Sequence, residues 1–187
     1  MEMLTKIINV ILTIFFNASK NKGVQGMNIS NNVDFAKKAE GTKRLHNGNH
    51  AMYKCPAGYW TIGYGRNVET NGISENEAER MLMNDLGDAV RMCEANVSCW
   101  SRLSEVRKSV LIDMCFNMGW PRLSRFEMMF IALEGSDYEE AARQIMDSKY
   151  WVDVTDNERG QEDANDIDTR AEFLVQSMRT NIWHPYS

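Results

Sequence analysis

The chain has 187 residues, of which 43% are hydrophobic and 25% charged, and its formal net charge is −5. These proportions are typical of a folded protein long enough for one well-buried domain or for two small lobes that share a helix. No basic stripe runs along a predicted face, so we do not expect nucleic acid as a partner. The histidines and cysteines show neither a CxxC pair nor a zinc-ligand spacing, so we expect no metal and no cofactor.

Residues 1–26 are predicted to be a leader that precedes one catalytic domain over residues 27–187. Lys6 precedes an apolar run at residues 7–16, which is too short to span a bilayer as a helix. A basic start and a short apolar run favour a signal peptide, but Phe16-Asn17-Ala18-Ser19 is a poor cleavage site. Three interpretations remain: a weak export or membrane-tethering segment with transient membrane contact, a leader without a structural role, or an amphipathic helix packed on the domain.

A helix is predicted from Ser30 to Glu40. Val33, Ala36 and Glu40 fall on one side of it, and Gly41 is a typical helix stop. Glu40 therefore lies in the last turn, where the helix dipole disfavours a negative charge. Partial burial at this place would raise the pKa of its carboxyl group. Glu40 is thus a candidate general acid.

A β-hairpin is predicted after a polar, irregular stretch at residues 42–51. Pro56-Ala57-Gly58 indicates the turn, and alternating residues from Tyr59 onward indicate a strand. Cys55 and Thr61 occupy hairpin positions from which both side chains can face one cleft. We therefore expect an acid, a thiol and a hydroxyl close together where the first helix meets the hairpin.

The rest of the chain is predicted to be helical. Four capping boxes indicate helix starts, and a further helix begins at about Ser104 and ends at Gly119. The capping boxes are Ser74–Glu77, Ser124–Glu127, Ser136–Glu139 and Thr169–Glu172. The helix after Ser74 has an apolar period of about 3.6 residues. The residues predicted to face inward on it are Ala78, Met81, Leu82, Leu86, Ala89, Val90 and Cys93.

Two further features concern the cysteines and an acidic stretch. Cys93 and Cys99 flank a short polar turn and could pair in an oxidising compartment, whereas Cys115 is predicted to be a buried thiol. The stretch Asp153–Asp168 is rich in acids, but it lacks the fixed ligand register and central glycine of an EF-hand. We predict a solvated loop there.

These residues resemble a known family. Glu40-Gly41, followed by the run Tyr59-Trp60-Thr61-Ile62-Gly63-Tyr64-Gly65, is similar to the signature of the phage-type lysozymes, a family of endolysins. The resemblance continues through Phe116-Asn117-Met118-Gly119 and covers most of residues 30–184. It implies an α+β, mainly α fold of two lobes, in which a small β-hairpin lobe and a larger helical lobe are joined by a long helix. The substrate is then expected in the cleft between the lobes.

The resemblance also implies a function. It implies hydrolysis of the β-1,4 bond between N-acetylmuramic acid and N-acetylglucosamine in bacterial peptidoglycan, by a monomer without a cofactor. Such an enzyme is made in the host cytoplasm, acts on the wall in the periplasm and lyses the host cell. A lytic transglycosylase on a similar fold, and a wall-binding module that has lost catalysis, are the alternatives.

The resemblance assigns roles residue by residue. Glu40 would protonate the leaving oxygen, Thr61 would hold the attacking water, and Arg170 would be the basic partner of Glu40. Cys55 stands where the family has aspartate or, in a subset, cysteine. A thiol has a pKa of about 8.5, so we expect Cys55 to orient water or substrate rather than attack the sugar. The residues implied to line the sugar-binding face are Phe116, Asn117 and Gly119.

This sequence departs from the family pattern in two places. The stretch between Glu40 and Cys55 is longer than usual, and the excess is His46-Asn47-Gly48-Asn49-His50. It either loops out or places a histidine in the cleft. The acidic stretch before Arg170 is also longer than in the family, so the assignment of Arg170 depends on a weaker match than the hairpin does.

Overall fold

The structure is a computed structural model that describes residues 29–151 and 170–183. The predicted leader, the acidic loop Asp153–Asp168 and the Thr169 cap lie outside these residues. The chain divides between Arg80 and Met81 into two compact units. Within the described ranges, no helix combines the length and apolarity that crossing a bilayer requires. The assignment of residues 27–187 to a single catalytic domain stays a prediction.

Within residues 29–80, the first unit has a helix, a small sheet, a helical turn and the first residues of the long helix described below. Its elements are α1 (Ser30–Glu40), β1 (Tyr53–Lys54), β2 (Trp60–Ile62), β3 (Arg66–Asn67) and α2 (Val68–Asn71). The strands form an antiparallel sheet in the order β1-β2-β3. Thr61 is the central residue of β2, and it pairs with Tyr53 on one side and Asn67 on the other. The predicted helix and hairpin are confirmed.

Local sequence explains these boundaries. α1 ends where Gly41 adopts a φ of 63°, a left-handed backbone that favours glycine. The turn between β1 and β2 closes at Gly58, whose φ is 90° and whose N–H donates to the carbonyl of Cys55 at 2.8 Å. The helix stop at Gly41 and the turn at Gly58 were both predicted from the sequence, because glycine has the conformational freedom that these backbone conformations require.

The stretch at residues 42–51 contains no helix or strand, as predicted, but one isolated bridge closes it into a small hairpin. Arg44 and His50 form an antiparallel bridge. Asn47 and Gly48 supply the turn between them, and Gly48 has a φ of 88°. An Asn-Gly pair is a strong turn signal, which explains why this polar segment is ordered. We call residues 42–51 the inserted hairpin.

A long helix, α3 (Glu75–Asn96), runs through the boundary between the two units. One of the two bonds of its predicted capping box is present, whereas the Ser74 hydroxyl donates to the Glu77 side chain instead of accepting from the Glu77 N–H. The Oε2 atom of Glu77 accepts hydrogen bonds from the backbone N–H and the hydroxyl of Ser74, each at 2.7 Å. These bonds satisfy a backbone donor that the helix itself leaves free. The long helix expected from the family resemblance is therefore present.

The predicted inward face of α3 is correct only in its second half. Ala89 and Cys93 are buried as expected, but Met81 and Leu82 are 53% and 45% exposed. The hydrophobic core of the second unit begins at Ala89, so the first half of the helix has no core residues around its apolar side. The periodicity predicted the helix correctly and overestimated how much of it is buried.

The second unit is a cluster of helices. After a short 3-10 turn, its helices are α4 (Glu105–Met118), α5 (Trp120–Leu123), α6 (Glu127–Glu134), α7 (Tyr138–Met146) and α8 (Arg170–Thr180). α7 packs against α6 and α8, and α4 packs against α5 and α8. The largest fully buried side chains of this core include Leu111, Met114, Leu123, Met129, Leu133, Ile145, Leu174 and Met178. With the small sheet, these helices confirm a mainly α, α+β fold.

Two of the predicted capping boxes were wrong. α6 has no side-chain cap, and the hydroxyl of Ser124 donates instead to the carbonyl of Pro121. α7 is capped by Asp137, whose carboxylate accepts from the N–H of Glu140 at 3.0 Å. Ser136, the predicted cap, has a φ of 60°. The chain therefore enters the helix one residue later than the motif indicates.

All four cysteines are free thiols, so Cys93 and Cys99 are not bonded to each other. The Cys93 thiol donates to the carbonyl of Leu111 at 3.6 Å. Burial, reinforced by the neighbouring Cys115 thiol, raises the pKa of Cys93 to about 12. The prediction that Cys115 is buried is confirmed. The thiol neighbour of Cys93 is thus on α4 and not in the turn that follows α3.

Candidate active site

Glu40 lies against a glycine of the β2–β3 segment. A Cβ atom built on Gly65 would be 3.4 Å from the Oε2 atom of Glu40, so the carboxylate approaches the backbone where no side chain is present. Gly65 has a φ of 93°. The Glu40 residue itself is exposed, which differs from the partial burial that the sequence suggested. The last turn of α1 thus presents an accessible acid beside the strand segment.

Cys55 and Thr61 are brought together by the hairpin. The backbone N–H of Cys55 donates to the carbonyl of Tyr59 at 3.0 Å, which places Cys55 at the start of the turn. Thr61 is 3% exposed, and its hydroxyl donates to the same carbonyl at 3.1 Å. The Thr61 side chain also lies close enough to the Cys55 sulfur to lower the pKa of that thiol. Two of the three predicted catalytic side chains therefore lie close together.

The surroundings of Cys55 favour its thiolate. Partial desolvation raises the pKa of this thiol, but hydrogen bonds lower it by more in total, so the pKa lies below its ordinary value. The groups that form these bonds are the backbones of Tyr59, Ala57 and Gly58 and the side chain of Thr61. Hydrogen bonds to the sulfur stabilise its charged form, which is how the turn backbone lowers the pKa. Cys55 is therefore a better hydrogen-bond acceptor at neutral pH than an ordinary cysteine.

A thiol-specific reagent should distinguish Cys55 from the other cysteines. Burial raises the pKa of Cys93, Cys99 and Cys115, whereas Cys55 is half-buried with a lowered pKa. Because the thiolate is the reactive form, we expect iodoacetamide at pH 7 to modify Cys55 first. Peptide mass spectrometry over time would measure this. Faster labelling of Cys93 than of Cys55 would contradict it, and the Cys55→Ser variant is the matched control for peptide assignment.

Arg170 has a carboxylate partner within the second unit. Its Nε and Nη2 atoms donate to the two carboxylate oxygens of Asp113 at 2.9 and 2.8 Å. The guanidinium carbon lies 6.0 Å from the centre of the Phe116 ring. The expected pairing of Arg170 with Glu40 joins residues of different units and stays a prediction. Asp113 was missed, although it lies three and four residues before Phe116 and Asn117 on α4, which is the spacing of a shared helix face.

A groove of about 920 Å³ lies in the second unit. Asn117, one of the three predicted sugar-binding residues, lines it, whereas Phe116 and Gly119 do not. The polar and charged side chains that line it with Asn117 are Arg122, Arg125, Glu127, Gln144, Asp147, Ser148, Lys149 and Tyr150. This mixture of amide, hydroxyl and charged groups suits a ligand with many hydroxyl and amide groups.

Tyr150 is the one lining residue with a buried, unsatisfied group. Its hydroxyl is buried and has no hydrogen-bond partner in the part of the chain that the structure describes. Burial, together with the charge of Asp113, raises its pKa to about 12. A neutral phenol is therefore present at all ordinary pH values. Buried hydroxyls are normally satisfied, but this oxygen is itself inaccessible, so it is not available to a ligand in the groove in this arrangement.

Comparison with known proteins adds two findings. A family model described as Phage lysozyme matches residues 37–162. A similar protein is "Probable T4-type lysozyme 1" of Dictyostelium discoideum, which is 27% identical over 135 residues, covering 57% of this chain and 79% of the relative. The residues matched by the family model include Glu40, Cys55, Thr61 and the groove, but they end before Arg170.

Proposed function

Because the chain belongs to the phage lysozyme family, we propose that it hydrolyses the β-1,4 bond between N-acetylmuramic acid and N-acetylglucosamine in bacterial peptidoglycan. Family membership makes the protein a lysozyme-like cell-wall hydrolase and therefore a glycoside hydrolase. The observation that carries the finer proposal is the proximity of Cys55 and Thr61 in a hairpin whose next segment holds Gly65 against Glu40.

We assign the acid step to Glu40. Its carboxyl group donates a proton to the glycosidic oxygen as the bond to the anomeric carbon breaks, which lets the leaving sugar depart as an alcohol. Glu40 would be reprotonated from solvent before the next turnover.

Thr61 and Cys55 suit the handling of the water nucleophile. The Thr61 hydroxyl has a single hydrogen, for which the Tyr59 carbonyl and the Cys55 sulfur compete, and its oxygen lone pairs can accept a hydrogen bond from water. The Cys55 sulfur can accept a hydrogen bond from the same water and so help to orient it, and the water gives up its proton to solvent after its oxygen attacks the anomeric carbon. Attack by water in one step inverts the anomeric carbon, as the family resemblance leads us to expect.

The groove in the second unit is the proposed sugar-binding surface. Asn117 and Gln144 offer amide groups to the hydroxyl and acetamido groups of a sugar. We further propose that the protein works as a monomer on the wall in the periplasm and contributes to host cell lysis. Peptidoglycan lies outside the cytoplasm, so the protein has to leave that compartment to reach its substrate.

The chemical identity of the products tests this function. We expect digestion of purified peptidoglycan by the full chain to release muropeptides with reducing muramic acid ends, because water is the nucleophile. Mass spectrometry of the soluble products would measure this, since anhydro ends are lighter by one water. Anhydro products would identify a lytic transglycosylase. Binding to the wall without any product would identify an inactive wall-binding module.

A further inference from the structure

Three nitrogen-bearing side chains converge on Tyr64, the residue before Gly65. The ammonium of Lys37 lies 5.9 Å from the centre of the Tyr64 ring, and Nη2 of Arg44 donates to the Tyr64 hydroxyl at 3.4 Å. The His50 ring packs edge-on against Tyr64 with centroids 5.0 Å apart. Lys37 comes from α1, whereas Arg44 and His50 come from the inserted hairpin. The insertion therefore adds groups to the neighbourhood of the proposed acid.

The inserted hairpin holds Arg44 in place. Nη1 of Arg44 donates to the carbonyl of Gly48 at 2.6 Å, and Arg44 and His50 form the backbone bridge. The Nδ1 atom of His50 is 2.6 Å from the hydroxyl oxygen of Thr42, which ties the base of the hairpin. A guanidinium has more N–H groups than these two bonds use. Arg44 is thus oriented by the protein and still has donors for a ligand.

The charge around this cluster differs in sign from that of the whole chain. Residues 37–66 contain one acid, Glu40, whereas the chain has a net charge of −5. The basic residues of this segment are Lys37, Lys38, Lys43, Arg44, Lys54 and Arg66. Arg66 pairs with Glu77, but among the described residues no carboxylate pairs with Lys37 or Arg44. Both are exposed, so a ligand can reach them.

The position of the cluster determines which ligand it would meet. Tyr64 adjoins Gly65, against which the Glu40 carboxylate lies, and Lys37 precedes Glu40 by three residues on α1, so the two cations belong to the same part of the first unit as the proposed acid. The muramic acid unit carries a peptide stem with free carboxylates. An oriented guanidinium forms strong, paired hydrogen bonds with a carboxylate, and an ammonium adds charge.

We propose that Lys37 and Arg44, held around Tyr64 by the inserted hairpin, form a binding site for a carboxylate of the substrate's peptide stem. This inference rests on the proposed function, because it names the substrate group that the same unit recognises. The site selects stem-bearing glycan over glycan whose carboxylates are masked. It also assigns a role to the inserted hairpin, which is one of the two places where this sequence is expected to depart from the family pattern.

The test measures binding separately from turnover. Full-length protein carrying Glu40→Gln, which prevents digestion, is co-sedimented with insoluble peptidoglycan, either native or with its carboxylates converted to amides. We expect Arg44→Gln to weaken binding to native peptidoglycan roughly tenfold and Lys37→Gln roughly threefold. Amidated peptidoglycan should bind the parent protein weakly, with no further loss in either variant. Lys38→Gln removes the same charge from the neighbouring position and should bind like the parent.

Two results would overturn the site. One is that Arg44→Gln and Lys37→Gln bind native peptidoglycan as tightly as the parent protein does. The other is that these variants lose the same fraction of their affinity for native and for amidated peptidoglycan. Circular dichroism of each variant identifies any loss caused by unfolding, and Arg44→Lys should then restore part of the binding. Turnover of protein with Glu40 intact is measured in parallel. No turnover with the expected binding pattern would refute the proposed hydrolysis alone, whereas turnover without that pattern would refute the carboxylate site alone.

Discussion

Replacing Glu40 with glutamine should reduce wall-lysis activity by about 10²–10⁴-fold. The amide has the size of the carboxyl group and the same place at the end of α1, but it has no proton to give to the leaving oxygen. The measurement is the clearing rate of chloroform-permeabilised Gram-negative cells, followed by turbidity with the full chain. Stability should change little, because Glu40 is exposed.

The matched control for this variant is Glu75→Gln, which makes the same chemical change at an exposed position in the first turn of α3. We expect it to clear cells at the parent rate. If Glu40→Gln also clears at the parent rate, Glu40 is not the acid. If the parent protein itself does not clear cells or release sugar, the wall-binding module becomes the better interpretation.

Replacing Gly65 with alanine should lower activity about 10- to 100-fold, through the position of Glu40 rather than its chemistry. The added methyl group would lie 3.4 Å from Oε2 of Glu40, which is tighter than most such contacts, so the carboxyl group has to move. A shift of about 1 Å in a catalytic group can cost on the order of 100-fold in rate. Alanine at a φ of 93° is also strained, so we expect stability to fall by about 1–2 kcal/mol.

Gly72→Ala separates the loss of stability caused by backbone strain from the loss of activity caused by a displaced Glu40 carboxyl group. Gly72 also has a positive φ, 58°, but a Cβ built there meets no atom within 4 Å. We expect this control to lose stability while keeping its turnover rate per folded molecule, whereas Gly65→Ala loses both. The midpoints of urea unfolding and the clearing rates, taken together, provide the comparison. Equal clearing by both alanine variants would contradict the contact between Gly65 and Glu40.

The local features of this fold were predictable from the sequence. The helix Ser30–Glu40, its stop at Gly41, the turn that closes at Gly58 and the capping box at Ser74 all depend on residues within a few positions of one another. Such features follow from backbone freedom and short hydrogen bonds, which the sequence states directly. The order in which the acid, the thiol and the hydroxyl follow one another along the chain is also read directly from the sequence.

Contacts between residues that are far apart along the chain were not predictable from the sequence. Arg170 pairs with Asp113, which is 57 positions away. Nothing in the sequence around either residue indicates that the other is its partner. The same applies to Met81 and Leu82, because burial depends on which elements pack around a helix and not on its own period.

The sequence by itself determined which residues carry the candidate chemistry, since Glu40, Cys55 and Thr61 stand in a motif that local rules and family resemblance both identify. Only the tertiary structure decided which groups surround these side chains and shift their electrostatic properties. The lowered pKa of Cys55 depends on bonds from the turn backbone and Thr61, and the cations around Tyr64 depend on how the inserted hairpin folds back. Electrostatic effects vary steeply with distance and orientation, so they follow from coordinates rather than from residue order.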